Sequence, residues 1–446
     1  MISPDSSTSR PSSRRWIRAA MIAAMAAVTA VSADETQAPP LPEATPAAVE
    51  GAAPASAEAT PAESALETKL EGMDEDSPSL EVPPRESAPP IASARSVARE
   101  HDLLAQAYKL NGRYVVGKGD AARPLTVDPE LQEQLTQVLK SYRVPYGAVV
   151  AIDPATGRVL AMAEHSRVRP DLRGLATQAL FPAASIFKIV TSAALLAEGV
   201  KPEDEECFHG GKRRLHQKLL VDSQRDGNCY SLAMALGKSA NVVFGKMTLK
   251  HLNPLKLRGW AEALGFNRPL SFDVPTGVSL AAIPEDAFGL ASTGAGFGDV
   301  YLSPLHGAAL AAAVANKGVW RQPALVERDG EDAAGQRVLT EEQARALTEM
   351  MEQTVTNGTA RRIFRERGHQ VKDAVGKTGS LADKNPFRDY SWFVGFAPKD
   401  NPKVAVAAVI VNEPLWHIRA TYLGREAMRL YLDAQDKPRV RASARR

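Results

Sequence analysis

The 446-residue sequence predicts a mixed α/β fold of the α+β type: an antiparallel sheet built from both ends of one domain and flanked by helices, with a helical lobe inserted between its halves. Two hairpin patterns and the helical interval between them carry this prediction. Tyr146-Gly-Ala-Val-Val-Ala-Ile152 and Gly157-Arg-Val-Leu-Ala-Met162 are apolar runs separated by Asp153-Pro-Ala-Thr-Gly157, a turn in which Pro fixes φ and Gly accepts positive φ. Tyr390-Ser-Trp-Phe-Val-Gly-Phe396 and Lys403-Val-Ala-Val-Ala-Ala-Val-Ile-Val411 flank Pro398-Lys-Asp-Asn-Pro402 in the same way. Helix patterns between the hairpins run over 182–197 with Gly199 beyond, 230–252, 255–264, 304–316 and 341–356, and a last helix covers 422–432. Strands from the two chain ends must then share one sheet, and the boundary between sheet and lobe is the place for a cleft. Trp392, Phe393, Phe396 and Trp416 are expected to pack the second hairpin against the last helix.

Hydrophobic residues make up 44% of the chain and charged residues 24%, enough for a large core. A formal net charge of +2 is too small for a nucleic-acid protein, and charge alone points to no partner. Residues 1–33 read as an export signal, with Arg14, Arg15 and Arg18 ahead of an apolar run from Ala19 to Val31 that ends in Val31-Ser32-Ala33. The run is shorter than the roughly 20 residues that span a bilayer. That favours cleavage near Asp34, with a retained and tilted anchor as the alternative. Residues 34–96, dominated by Ala, Pro, Glu and Ser, have the composition of a disordered linker. The folded domain is expected over 97–435 and a basic tail over 436–446. Such a chain would be extracytoplasmic, periplasmic or anchored in the cytoplasmic membrane facing outward, and would touch the membrane only through its N-terminal segment if that is uncleaved.

Cys207 and Cys229 lie in the exported part. In an oxidising compartment a disulfide between them would be worth about 3 kcal/mol through loop entropy. Free thiols are one alternative. A zinc site is another, because His209 and His216 lie between the cysteines, although the spacing matches no usual ligand set.

Chemistry concentrates in Ser185-Ile-Phe-Lys188, at the start of the helix that Pro182 is expected to open. A spacing of three puts both side chains on one helix face, and the helix N-terminus favours negative charge developing on the serine oxygen. A free lysine titrates near ~10.4 and is a poor proton acceptor at neutral pH, so this pair needs burial or a nearby cation such as Lys377. Ser239-Ala-Asn241 adds a hydroxyl that could relay a proton to a leaving amine and an amide that could hold a substrate backbone. Lys377-Thr378-Gly379 adds a cation and a hydroxyl for a carboxylate, with Gly permitting close backbone approach. The amides of Ser185 and Ser380 could form an oxyanion hole.

Ser-x-x-Lys, Ser-x-Asn and Lys-Thr-Gly in this order resemble the penicillin-binding proteins and serine β-lactamases. The resemblance extends over about residues 125–432. It takes in Val149 to Ala163, Ser303-Pro-Leu-His-Gly-Ala-Ala-Leu, Ala315-Asn-Lys-Gly318, Val355-Thr-Asn-Gly-Thr-Ala360 and Gly376-Lys-Thr-Gly-Ser380. It implies a β-lactamase/transpeptidase-like fold and a peptidoglycan D,D-transpeptidase that acylates Ser185 with D-Ala-D-Ala stem peptides, cross-links them, and binds penicillin covalently. Lys188 would accept the serine proton. Ser239 and Asn241 would serve proton relay and peptide positioning, and Lys377 and Thr378 would bind the terminal carboxylate. Implied partners are peptidoglycan stem peptides, β-lactam antibiotics and other cell-wall synthesis proteins, with no cofactor, metal or nucleic acid. No segment before residue 97 is expected to house a glycosyltransferase, and the pedestal domain of large monofunctional transpeptidases is expected to be reduced to 97–145.

Water as acyl acceptor would make the enzyme a D,D-carboxypeptidase. A class A β-lactamase would carry Glu-x-x-Leu-Asn between Asn241 and Lys377, and no such run is present. A non-catalytic muropeptide sensor would have no need of an intact Ser185, Lys188 and Lys377. Gly294-Ala-Gly-Phe-Gly298 lacks the partners of a nucleotide loop and reads as a backbone turn bordering the cleft. His306, on an Ala- and Leu-rich helix, reads as a packing histidine, and His417 as a loop residue.

Overall fold

The computed structural model describes residue 91, residues 94–328 and residues 334–436. The expected export segment, most of the linker and residues 437–446 lie outside the described residues. Ile91 and Ala94 are buried in the main core, so packing begins a few residues ahead of the expected start at 97.

Five antiparallel strands form the central sheet: β1 (Tyr146–Ile152), β2 (Val159–His165), β3 (Val375–Lys384), β4 (Phe387–Ala397) and β5 (Val404–Asn412), in the order β3-β4-β5-β1-β2. The two chain ends meet where β5 pairs with β1, Val409 opposite Ala148. This is the mixed antiparallel architecture expected from the two hairpins. Gly157 closes the first of them at φ +81°, and a side chain there would press on the Gln322 carbonyl.

Helix α1 (Pro129–Ser141) starts on Asp128, whose carboxylate accepts from the Glu130 and Leu131 amides, and buries Leu131, Leu135 and Leu139. It shares one face of the sheet with the last helix. The helical lobe covers the other face with α2 (Lys188–Ala197), α3 (Leu232–Lys238), α4 (Asn241–His251), α5 (Pro254–Ala263), α6 (Ala287–Gly294), α7 (Pro304–Ala315) and α8 (Glu341–Thr356). Every residue of α7 is buried, as its uniformly apolar sequence requires. A capping box between Thr340 and Gln343 starts α8. The last helix, α9 (Ala420–Asp436), closes the far side.

His306, on α7, is buried between the Phe266 and Trp320 rings, and its Nε2 lies 2.8 Å from the Leu264 carbonyl oxygen. Burial pushes it down to about 4, so it stays neutral and acts as packing. His417 lies in the loop after β5.

The expected aromatic cluster on α9 needs correction. Strand alternation sends Trp392 and Phe396 into the core beneath the helical lobe, and only Phe393 into the core shared with α9, where it packs against Gly424. Trp416 remains 62% exposed. Trp392 is wholly buried, stands edge-on to Phe181, and donates from Nε1 to the Pro182 carbonyl at 2.8 Å. Trp392→Ala should cost about 3–5 kcal/mol. Urea unfolding should show a lower midpoint at unchanged slope, while Trp416→Ala should stay within about 0.5 kcal/mol of wild type.

Candidate active site

Pro182 does not open a helix. It belongs to a short strand, Phe181–Pro182, paired with Tyr301–Leu302, and the chain then passes through a 3-10 turn, Ala184–Phe187, into α2. Ser185 therefore sits on the turn before the helix. Ala184 holds φ +48°, an uncommon conformation for a residue with a side chain. Gly296, at φ +90°, lies so close that a Cβ would collide with the Ala184 carbonyl. The serine is thus braced by the segment that follows α6, within the glycine-rich stretch expected as a turn beside the cleft.

Lys188 is fully buried. Its Nζ lies 2.8 Å from Ser185 Oγ, 2.7 Å from Asn241 Oδ1 and 2.6 Å from the Ala295 carbonyl oxygen. Burial first, and the charge of Lys377 second, hold it well below the usual lysine range. A neutral amine has two N–H donors and one lone pair. The amide and carbonyl oxygens can only accept, so both N–H groups have partners and the lone pair is left for the one partner with a proton to give, Ser185.

The helix expected over 230–252 is broken. Asn228–Ser231 is a strand, α3 ends at Lys238, and Ser239 takes a left-handed conformation at φ +55° before α4 begins at Asn241. The break turns Ser239 toward β3, where Lys377 Nζ donates to its Oγ at 3.0 Å. Asn241 is engaged at both ends of its amide: Oδ1 accepts from Lys188, and Nδ2 donates to the Arg213 carbonyl at 2.6 Å. The second Nδ2 hydrogen is the one left for the substrate contact expected of this residue.

Lys377, Thr378, Gly379 and Ser380 lie on β3, an edge strand. Lys377 is fully buried, donates also to the Thr378 carbonyl at 2.7 Å, and is pushed down to about 7 by burial. Thr378 Oγ1 is hydrogen-bonded to Thr359 Oγ1. A Cβ on Gly379 would stand 3.2 Å from Ile186 and 3.3 Å from the Ala183 carbonyl oxygen. The strand edge is therefore applied directly to the serine turn, with Ser380 the next residue along the strand.

One cluster thus gathers Ser185, Lys188, Ser239, Asn241, Lys377 and Thr378. Three further contributors carried no signal as site residues: the Ala295 carbonyl, Thr359, and the Lys212–Arg213 backbone. Cys207 and Cys229 are disulfide-bonded across a small hairpin, and His209 is bonded to Asp226. Among the described residues no cluster of three or more His, Cys, Asp or Glu is arranged to hold a metal ion.

A sheet closed by both chain ends, with an edge-strand lysine facing a serine–lysine pair from an inserted helical lobe, defines an active-serine fold. The chain belongs to the penicillin binding protein transpeptidase domain family, whose model matches residues 147–427. It is 28% identical over 304 residues to the peptidoglycan D,D-transpeptidase PbpA of Mycolicibacterium smegmatis, covering 59% of this chain and 61% of that protein. It is 27% identical over 337 residues to PbpA of Mycobacterium tuberculosis, covering 64% and 66%. It therefore spans less than two thirds of the length of these relatives. Among solved structures, the D,D-transpeptidase domain of a peptidoglycan glycosyltransferase from Eggerthella lenta aligns at TM-score 0.56 and 27% identity, over 70% of this chain and 83% of that one. The imipenem acyl-enzyme complex of penicillin-binding protein A from M. tuberculosis aligns at TM-score 0.56 and 25% identity, over 70% and 79%.

Proposed function

We propose that the protein is a peptidoglycan D,D-transpeptidase that works through an ester on Ser185. The observation that carries this reading is the Lys188 environment, in which a buried amine has its lone pair directed at one hydroxyl. Ser185 Oγ passes its proton to Lys188 Nζ and attacks the carbonyl of the penultimate D-alanine. The C–N bond to the terminal D-alanine breaks, and its nitrogen takes up a proton relayed through Ser239. Lys377 and Thr378 hold the terminal carboxylate, Asn241 holds the peptide, and the Ser185 and Ser380 amides stabilise the developing oxyanion. An amine from a second stem peptide then attacks the ester, forming the cross-link and freeing Ser185. A β-lactam enters the same sequence, but its leaving nitrogen stays attached in the opened ring, so the ester persists.

The export signal over 1–33, the linker, a folded domain reaching to about 435 and an extracytoplasmic location belong to the same proposal. The disulfide supports it, since such bonds persist in oxidising compartments. Among the described residues no helix is long and apolar enough to cross a membrane. Other cell-wall synthesis proteins are the expected partners.

The test is incubation of the purified chain with a D-Ala-D-Ala stem peptide and an acceptor amine. Release of D-alanine together with a cross-linked peptide, both blocked by penicillin, is the expected result. Hydrolysed peptide alone would make the enzyme a carboxypeptidase, steady turnover of penicillin a β-lactamase, and penicillin-insensitive inertness a sensor.

A further inference from the structure

The disulfide-closed excursion between the strands Glu205–Phe208 and Asn228–Ser231 does more than fold back on itself. Its backbone reaches the base of the site, where the Lys212 carbonyl accepts from the Asn241 amide at 2.7 Å and the Arg213 carbonyl accepts from Asn241 Nδ2 at 2.6 Å. Asn241 in turn holds Lys188. Further along α4, the buried Lys246 clamps the root of the excursion, donating to the Cys207 carbonyl at 2.7 Å and pairing with Asp226 at 2.8 Å and Asp222 at 2.9 Å. The disulfide closes the ends of the loop that carries both attachments, and Cys229 is exposed while the residues the loop holds are buried.

We infer that the Cys207–Cys229 loop is a positioning element for catalysis: by accepting from both the backbone N–H and the side-chain Nδ2 of Asn241 it keeps Asn241, and through its Oδ1 Lys188, in place and dry beneath Ser185. The inference rests on the proposed acyl-transfer reading. None of the loop residues is placed on the substrate; they act through Asn241. Without the crosslink, closing the loop costs more entropy, the two carbonyls wander, and water reaches the amine. Among the described residues, Lys377 from β3 is the charged group that acts on Lys188, while α4 presents Asn241 and Phe244 and the end of α6 presents a carbonyl. Wetting therefore moves Lys188 back toward an ordinary lysine, and acylation must wait for a higher pH.

The experiment measures the second-order rate of benzylpenicillin acylation against pH for three forms of the full chain: wild type, Cys207→Ser/Cys229→Ser, and wild type reduced with a water-soluble phosphine and then desalted. In the reduction the S–S bond breaks, each sulfur gains one electron and one proton, and the phosphine becomes its oxide with oxygen from water. Reduction after folding covers the case in which the double variant does not fold. The expected result is a loss of about tenfold or more at neutral pH, with the acid limb displaced upward by about one pH unit, and recovery on reoxidation. An unmoved limb, or a uniform loss at every pH, would overturn the positioning role. A wild-type chain that forms no adduct would instead sink the acyl-transfer reading.

Discussion

Lys188→Met should slow acylation of Ser185 by benzylpenicillin by roughly 10³-fold at neutral pH, within the ~10²–10⁴ that a positioned general base supplies. Methionine fills nearly the same volume, so the cavity term is small. It leaves Asn241 Oδ1 and the Ala295 carbonyl without a donor, but it also removes a buried amine whose charged form burial disfavours. These stability terms oppose each other. The thermal midpoint should therefore move by a few degrees while the rate collapses, and stopped-flow acylation alongside calorimetry separates the two. A variant that acylates at the wild-type rate would show that another group takes the proton.

The second large effect concerns charge. Lys377 is the cation expected to hold the ligand carboxylate, and it can do so only while protonated. With its pKa pushed down to about 7, the charged fraction of the free enzyme falls above that pH. The second-order acylation rate, which reports free-enzyme groups, should then decline by up to about tenfold per pH unit on the alkaline side. On the acid side the rate should rise with pH as Lys188 loses its proton. Esterifying the ligand carboxylate should flatten the alkaline limb. Lys377→Ala should remove it and lower the maximum by about 10²-fold or more, the scale of a lost buried charge pair. A pH profile of the ester identical to that of the acid would mean that Lys377 does not read the carboxylate.

Much of this arrangement was legible in the residues. The strands of both hairpins declared themselves through β-branched runs around Pro- and Gly-containing turns, and the motif residues that meet around Lys188 and Lys377 are those singled out by order and spacing. The break at Ser239 was not legible, because Leu232 to Lys238 and Asn241 to His251 carry one continuous helical composition. The left-handed residue between them is held by contacts remote in sequence, such as Lys377. Strand β3 was hidden for the opposite reason. Lys377-Thr-Gly-Ser-Leu-Ala-Asp-Lys384 has little of the alternation of a half-buried strand and owes its extension to pairing with β4. Pro182 looked like a helix start by its residue type, but its neighbour Phe181 pairs with Leu302 instead. The misplaced aromatics were recoverable, since period-two alternation alone separates Trp392 and Phe396 from Phe393. The Lys212–Arg213 carbonyls carry no side-chain signature and could be found only in three dimensions.

Acyl transfer by this chain requires Ser185 Oγ to become covalently bonded. Intact-mass measurement of the purified chain after benzylpenicillin treatment, followed by peptide mapping, tests it directly. One penicilloyl group per chain, confined to the peptide containing Ser185 and absent from Ser185→Ala, is the predicted result. An adduct that persists in Ser185→Ala, or that maps to another residue, would contradict it.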